Sequence, residues 1–344
     1  MLALLLAAVV YGDPVVAFTF ADPRIDESSG LVSSSISDGV VFTHNDSGDE
    51  ARFFAVDARG RTLTTYVLPG VQARDWEDLA RGPDEQGRSS LWLGDIGDNN
   101  ARRDNGILVH RVREPVPGTR QRVVTEPPTS FRLRYPDGPG DAEALVVHPT
   151  TGRLYVLSKP LAGASQVYEA PARLDPDRPN RLERIGEVTP RATGTAGGPG
   201  IGGLAQLLVT AADISPDGER LAVRTYTDVY EFDLPGGDLV AGLQTEPVVS
   251  PLPSTRQGEG LAYSRDGRSL LTSTEGRASP VYRLRAVAAP SDRATPGRQG
   301  SDRQRPVAQE SGDRSGPLLG AAVLVLALVL VLVRLRRRRT DTRR

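Results

Sequence analysis

Residues 259–274 read EGLAYSRDGRSLLTST. A small acidic opener leads into an apolar run, Asp266-Gly267 interrupts it, and a second apolar run follows. Aspartate followed by glycine supplies the positive-φ position of a tight hairpin, so the stretch predicts two antiparallel strands. The same unit occurs four more times upstream. Ser29-Gly30-Leu31 precedes Asp38-Gly39, Glu77-Asp78-Leu79 precedes Gln86-Gly87, Glu143-Ala144-Leu145 precedes Thr151-Gly152, and Thr210-Ala211-Ala212 precedes Asp217-Gly218. The openers are 48, 66, 67 and 49 residues apart. After each hairpin comes a third strand-like run: RFFAVD, ILVHRV, QVYEA, DVYEFDL and PVYRLRA. Further extended stretches such as Arg61–Leu68 and Ser130–Tyr135 supply a fourth. Four antiparallel strands repeated at this period make a propeller blade, in which each sheet covers its neighbour's face.

The expected fold is therefore all-β, a five-bladed β-propeller of four-stranded antiparallel blades over residues 13–289. A sixth blade hidden in Pro127–Gly140 or Glu187–Leu207 is the rival count. The fifth unit ends after three strands, and Val15–Phe20 (VVAFTF) is a strand without a blade. Pairing the two closes the ring and removes its exposed edges. The loop Gly194–Gly203 (GTAGGPGIGG) is too rich in glycine for a strand.

The ends of the chain carry an address. Gly316–Val333 is eighteen residues without a charge, followed at once by Arg334, Arg336, Arg337, Arg338 and Arg339. Such a run is about the minimum to cross a hydrocarbon core as one C-terminal transmembrane helix, and flanking arginines mark the cytoplasmic side. That leaves residues 334–344 as a cytoplasmic tail and everything before the anchor outside the cell. Residues 290–315 have almost no apolar side chains and read as a disordered stalk. Residues 1–12 (MLALLLAAVVYG) form a signal-like hydrophobic segment without a basic start.

The whole-chain balance of 42 basic and 43 acidic residues averages over these compartments. Seven of the basic residues and one acidic residue follow Val333, so residues 1–333 carry seven more acids than bases. That excess argues against nucleic acid as a partner. With no cysteine, disulfides and thiolate chemistry are excluded.

Two sets of polar residues should meet where inner strands begin and second strands end. The first is the opener column, Ser29, Glu77, Glu143, Thr210 and Glu259, with Glu27, Asp75 and Asp141 two residues earlier in three blades. The second follows the second strands: His44–Gly48, Gly94–Asn99, Ser158-Lys159, Arg224–Tyr226 and Ser273–Glu275. Carboxylates converging on one channel mouth suit an oxygen-loving cation, and Ca²⁺ accepts six to eight such ligands. Glu77, Asp95, Asp98, Glu143 and Glu259 are the candidate metal ligands. Asn45, Asp46, Lys159, Arg224 and Glu275 are candidate ligand-binding residues, and His44 is the one candidate acid/base. The alternative is that each carboxylate caps a turn or pairs with an arginine.

HNDSGD (44–49), DWEDLA (75–80), GDIGDN (94–99), EAL with LYVLSK (143–159), SPDG with AVRTY (215–226) and EGLAYS (259–264) together resemble a group of exported, membrane-anchored β-propeller proteins common in actinobacteria and largely uncharacterised. The acidic openers are distantly similar to those of phytase-like and lactonase-like propellers. Ser29 and Thr210 depart from an all-carboxylate ring. Two functions follow as expectations. One is a membrane-tethered extracytoplasmic module whose top face binds a small ligand, glycan or protein partner, with Ca²⁺. The other is a Ca²⁺-dependent hydrolase of phosphate esters or lactones, in which Lys159 and Arg224 clamp an anionic group.

Overall fold

The computed structural model describes residues 10–287, apart from residue 162. The stalk, the apolar run Gly316–Val333, the arginine tail and residues 1–9 of the signal-like segment lie outside the described residues. Among the described residues, no helix is long and apolar enough to cross a membrane.

Among the described residues, twenty-three strands form five sheets. The inner strands are Ser28–Ser33, Trp76–Pro83, Ala142–Val147, Val209–Ile214 and Gly258–Tyr263, each adjoining the next around the ring. Each continues outward through antiparallel neighbours. The first blade adds Val41–Asn45, Arg52–Val56 and Thr62–Val67. The second adds Ser89–Asp95, Ile107–Arg113 and Thr129–Arg134. The third and fourth are built in the same way, out to Glu183–Val188 and Val248–Pro251.

The closing contact is the one expected. Val15–Thr19 pairs antiparallel with Pro280–Val287, with Val15 opposite Arg283 and Thr19 opposite Pro280. Val10–Tyr11 adds a short pairing with Ala286 and Val287. The rival sixth blade is not formed. Thr129–Arg134 is the outer strand of the second blade, and Gly202–Gln206 is a short helical turn.

Five buried apolar clusters lie one at each blade interface. The cluster at the closing seam joins Phe18, Ala262, Leu271 and Val281 of the fifth blade to Leu31, Val41, Phe54 and Val56 of the first, with Phe20 and Ile25 between them. Phe18 and Phe20 meet edge to face, their ring centroids 5.6 Å apart. Gly60 is needed beside this seam. Its φ is +80°, and a Cβ there would lie 1.8 Å from the Thr19 carbonyl oxygen.

Outer edges are covered in two blades. Arg122–Val124, from the second blade's third-to-fourth connection, runs parallel to Thr62–Val67. Asn180–Arg181 of the third blade does the same for Thr129–Arg134. The longer repeats therefore lend strands to the preceding blade, which blunts edges that would otherwise offer free hydrogen bonds.

Phe20 is 1% exposed and Val16 is 57% exposed, although both belong to the closing segment. Phe20→Ala is expected to lower the unfolding free energy by about 3–5 kcal/mol. Val16→Ala is expected to lower it by less than about 1 kcal/mol. Urea denaturation of the two variants checks the difference, and equal costs would contradict a closure that depends on the buried ring.

Candidate metal centre at the channel mouth

Every inner strand carries a register irregularity at its upper end. The shifts span Ser28/Leu31, Trp76/Asp78, Ala142/Ala144, Val209/Ala211 and Gly258/Leu261. The opener column of Ser29, Glu77, Glu143, Thr210 and Glu259 occupies these five irregularities. A β-bulge leaves its extra residue outside the ladder and re-aims the side chain, which here sets one residue per blade at the channel.

Ser29 and Thr210 use that position to join blades. Ser29 Oγ donates to the Glu77 carbonyl at 2.5 Å, and Thr210 Oγ1 to the Gly258 carbonyl at 3.1 Å. One residue beyond Glu77, the buried carboxylate of Asp78 accepts the amides of Leu79 (2.8 Å) and Leu145 (3.0 Å) and a longer one from Ala212 (3.4 Å). Asp213 accepts Tyr263 N at 2.8 Å from the fifth blade. The channel wall is thus sewn by side chains that satisfy a neighbouring blade's backbone.

The carboxylates gather on one side of the mouth. One oxygen from each of Asp46, Asp75 and Glu77 lies within 4.8 Å of the others, and the same holds for Glu77, Asp141 and Glu143. Glu77 belongs to both groups and is buried, as is Glu143. Burial, and then the charges of Asp46, Glu143, Asp75 and Asp141, push the Glu77 carboxyl well above the usual range. Burial, and then Glu143, raise Asp141 to about 7, against the pull of Lys159 and of the Asp98 amide. Glu143 is also raised by burial and hydrogen-bonds Glu77.

Gly97 makes this crowding possible. A Cβ there would fall 2.0 Å from Glu77 Oε1 and 2.7 Å from Asp75 Oδ2. The next amide, Asp98 N, donates to Asp141 Oδ1 at 2.6 Å, so the Gly97-Asp98 peptide touches both groups.

The remaining sequence candidates take other places. Asp95 forms a buried ion pair with Arg103 at 2.6 Å and accepts the amides of Arg74 and Asp75. Asp98 caps the turn that follows it by accepting Arg102 N and Arg103 N. Both hold the loops beneath the cluster rather than joining either three-carboxylate group. Asn45 Oδ1 accepts the amides of Asp26 and Glu27, while its Nδ2 donates to the Arg24 carbonyl and to Asp49.

His44 is fully buried edge-on to Trp76, with centroids 5.4 Å apart, and its Nδ1 is 2.9 Å from the Asn45 carbonyl. Burial lowers its pKa. The ring therefore sits neutral in the core.

The other side of the mouth is compensated. Lys159 Nζ lies 3.1 Å from Glu143 Oε1, donates to Tyr226 Oη at 2.9 Å and stands 4.9 Å over that ring. Burial opposes its charge, but Glu143, Tyr226, Glu259 and Glu77 hold its pKa well above the ordinary value. Arg224 is buried and donates to the Gly260 carbonyl at 2.5 Å and the Ser273 carbonyl at 2.8 Å, clamping the fourth blade to the fifth. Burial lowers it to about 10. Glu259 faces these two cations, outside either three-carboxylate group. Glu275 stands on the fifth blade's loop, its amide bonded to the Gln257 carbonyl.

Asp75 and Asp141 belong to the cluster and were absent from the expected ligand set. Their signal is the repeated Asp-x-Glu of Asp75-Trp76-Glu77 and Asp141-Ala142-Glu143, since residues two apart on an extended chain face the same side.

No protein-family model and no curated protein matches this sequence. Among solved structures the chain is similar to a gluconolactonase of Xanthomonas campestris, at 13% identity and a TM-score of 0.45, over 83% of this chain and 99% of that one. It is similar to the WD40 repeats of RRP9 at 11% identity and a TM-score of 0.41, over 81% and 100%. The blade count rests on the sheets and interface clusters described above.

Asp141 sets a pH dependence in the metal-free protein. A carboxyl raised from 3.8 to about 7 holds its proton in the folded state after the unfolded chain has lost it. Its contribution to stability is present below about pH 4 and disappears as pH rises through 7. Asp141→Asn removes that dependence. With chelator present, the variant is expected to be more stable than wild type at pH 8, by a margin that shrinks toward pH 5. Denaturation at both pH values checks this, and a constant margin would contradict it.

Proposed function

We propose that this chain is a membrane-tethered, extracytoplasmic propeller that holds Ca²⁺ at its channel mouth and uses it to bind an oxygen-rich ligand such as a glycan. The observation that carries the reading is the pair of three-carboxylate groups sharing Glu77. Asp46, Asp75, Glu77, Asp141 and Glu143 bring five acids to one patch, where Lys159 supplies a nearby positive charge. Burial and crowding favour the protonated form of Glu77, Asp141 and Glu143, a hard divalent cation would take the place of those protons, and carboxylate oxygens are its preferred ligands.

The eighteen-residue uncharged run and the arginines after it support the tether and its orientation. Extracellular Ca²⁺ modules reach dissociation constants of about 10⁻⁴–10⁻³ M, which sets the range of Ca²⁺ for the test.

Melting of the full-length protein with Ca²⁺ and with chelator tests the reading. At ten times Kd the cation contributes about 1.4 kcal/mol, which raises Tm by a few degrees. Glu77→Gln is expected to abolish the shift, while Glu259→Gln keeps most of it. Gly97→Ala is expected to lose the shift with every carboxylate still present, because its Cβ displaces Glu77 and Asp75. A wild-type protein indifferent to Ca²⁺ would overturn the metal site. Ca²⁺-dependent turnover of a phosphate ester or lactone would move the reading from binding to hydrolysis.

A further inference from the structure

The end of the propeller opposite the carboxylates carries a second feature. Between the lower parts of the first and fifth blades, at the closing seam, lies an open cleft of about 900 Å³. The first blade contributes Ser33 and the turn at Asp38-Gly39, and the closing strand contributes Ala17 and Phe18. The fifth blade contributes four arginines, Arg265, Arg268, Arg283 and Arg285. Elsewhere the polar groups that cross a blade interface are mutually satisfied, as where Ser34 and Ser35 of the first blade donate to Glu114 of the second and Tyr263 of the fifth donates to Glu231 of the fourth. Here Leu271 and Val41 line the cleft together with the four arginines.

The charges do not cancel within the cleft. Asp38 pairs with Arg265 at 3.1 Å, and Asp266 accepts Ser264 Oγ and the Arg268 amide. Among the described residues, no ion pair or hydrogen bond occupies the guanidinium of Arg283 or Arg285. Arg283 Nε is buried and finds no acceptor. A buried donor left without a partner costs free energy that a bound acceptor would recover. A smaller adjoining pocket of about 420 Å³ places Asp13 beside the same two arginines. Arg283 and Arg285 are two apart on one strand and so share a face, at a spacing of roughly 6.6 Å along the chain. Two planar forks at that spacing suit an anion that carries more than one charge and several acceptor oxygens.

We propose that this cleft is a second ligand site, for a small polyanion of the phosphate class held between Arg283 and Arg285 of the closing blade, with Arg265 and Arg268 at its rim. Such a ligand bridges the first and fifth blades and so stabilises ring closure. The site lies at the opposite end from the carboxylate cluster and needs no cation.

The test is titration of the full-length protein in detergent with pyrophosphate, with EDTA present, read by calorimetry and by Tm. Saturable binding that weakens with added salt and raises Tm is expected. Arg283→Ala/Arg285→Ala is expected to lose at least tenfold in affinity, and Arg120→Ala, an exposed arginine outside the cleft, to lose none. If the double variant fails to fold, Arg265→Ala/Arg268→Ala, at exposed hairpin positions, is expected to weaken binding severalfold with the melting of the free protein unchanged. Absence of saturable binding overturns the site, as does equal loss in Arg120→Ala or unchanged affinity in the folded cleft variants. Citrate bound as tightly as pyrophosphate would overturn the assignment to phosphate. Because chelator is present throughout, neither outcome depends on the proposed Ca²⁺ site.

Discussion

The pairing of Val15–Thr19 with Pro280–Val287 is the contact on which the rest of this structure stands. A blade exposes an apolar face on each side, and only a closed ring covers every face. The five interface clusters are one consequence of closure, and the ring of adjoining inner strands is another. Since the pairing joins residues some 265 positions apart, it lives in the tertiary structure and in no local propensity. Phe18 and Phe20 give it an apolar anchor, and Gly60 gives the first blade room to approach it.

Closure brings the upper ends of the inner strands together, and with them the column residues. The column does different work in different blades. Ser29 and Thr210 spend their hydroxyls on the next blade's carbonyls, which holds the ring tight. Glu77 and Glu143 bring carboxyls to the same position and meet each other, with Lys159 beside Glu143. Their crowding pushes both carboxyls upward and is accommodated because Gly97 leaves space and Lys159 compensates Glu143. The same forces that raise these pKa values favour replacing protons by a divalent cation. The electrostatic strain of the mouth and its proposed function therefore have one origin.

The seam is asymmetric from end to end. Its upper part is apolar and closed, whereas its lower part opens between blades and is lined by arginines. The closing blade is the one assembled from both ends of the propeller sequence, so its outer strand is positioned by register with Pro280–Val287 rather than by a hairpin.

Much of the fold was legible in the sequence. The opener, turn and second strand recur as a unit, and the unclaimed strand Val15–Phe20 announced the closure, because alternation and Asp-Gly turns are local properties. Glu77 and Glu143 were legible for the same reason, as repeated positions in that unit. The roles of Asp95, Asp98, Asn45, His44 and Arg224 were not, since their types match a site and only packing shows them holding loops, filling the core or clamping carbonyls. By itself the sequence determined the repeating blade unit and the residues that could reach the mouth, through local periodicity, while the choice of five blades over six waited on the sheets. Only the tertiary structure decided which acids share space and which arginines lack partners, because both depend on distances between residues far apart in the chain.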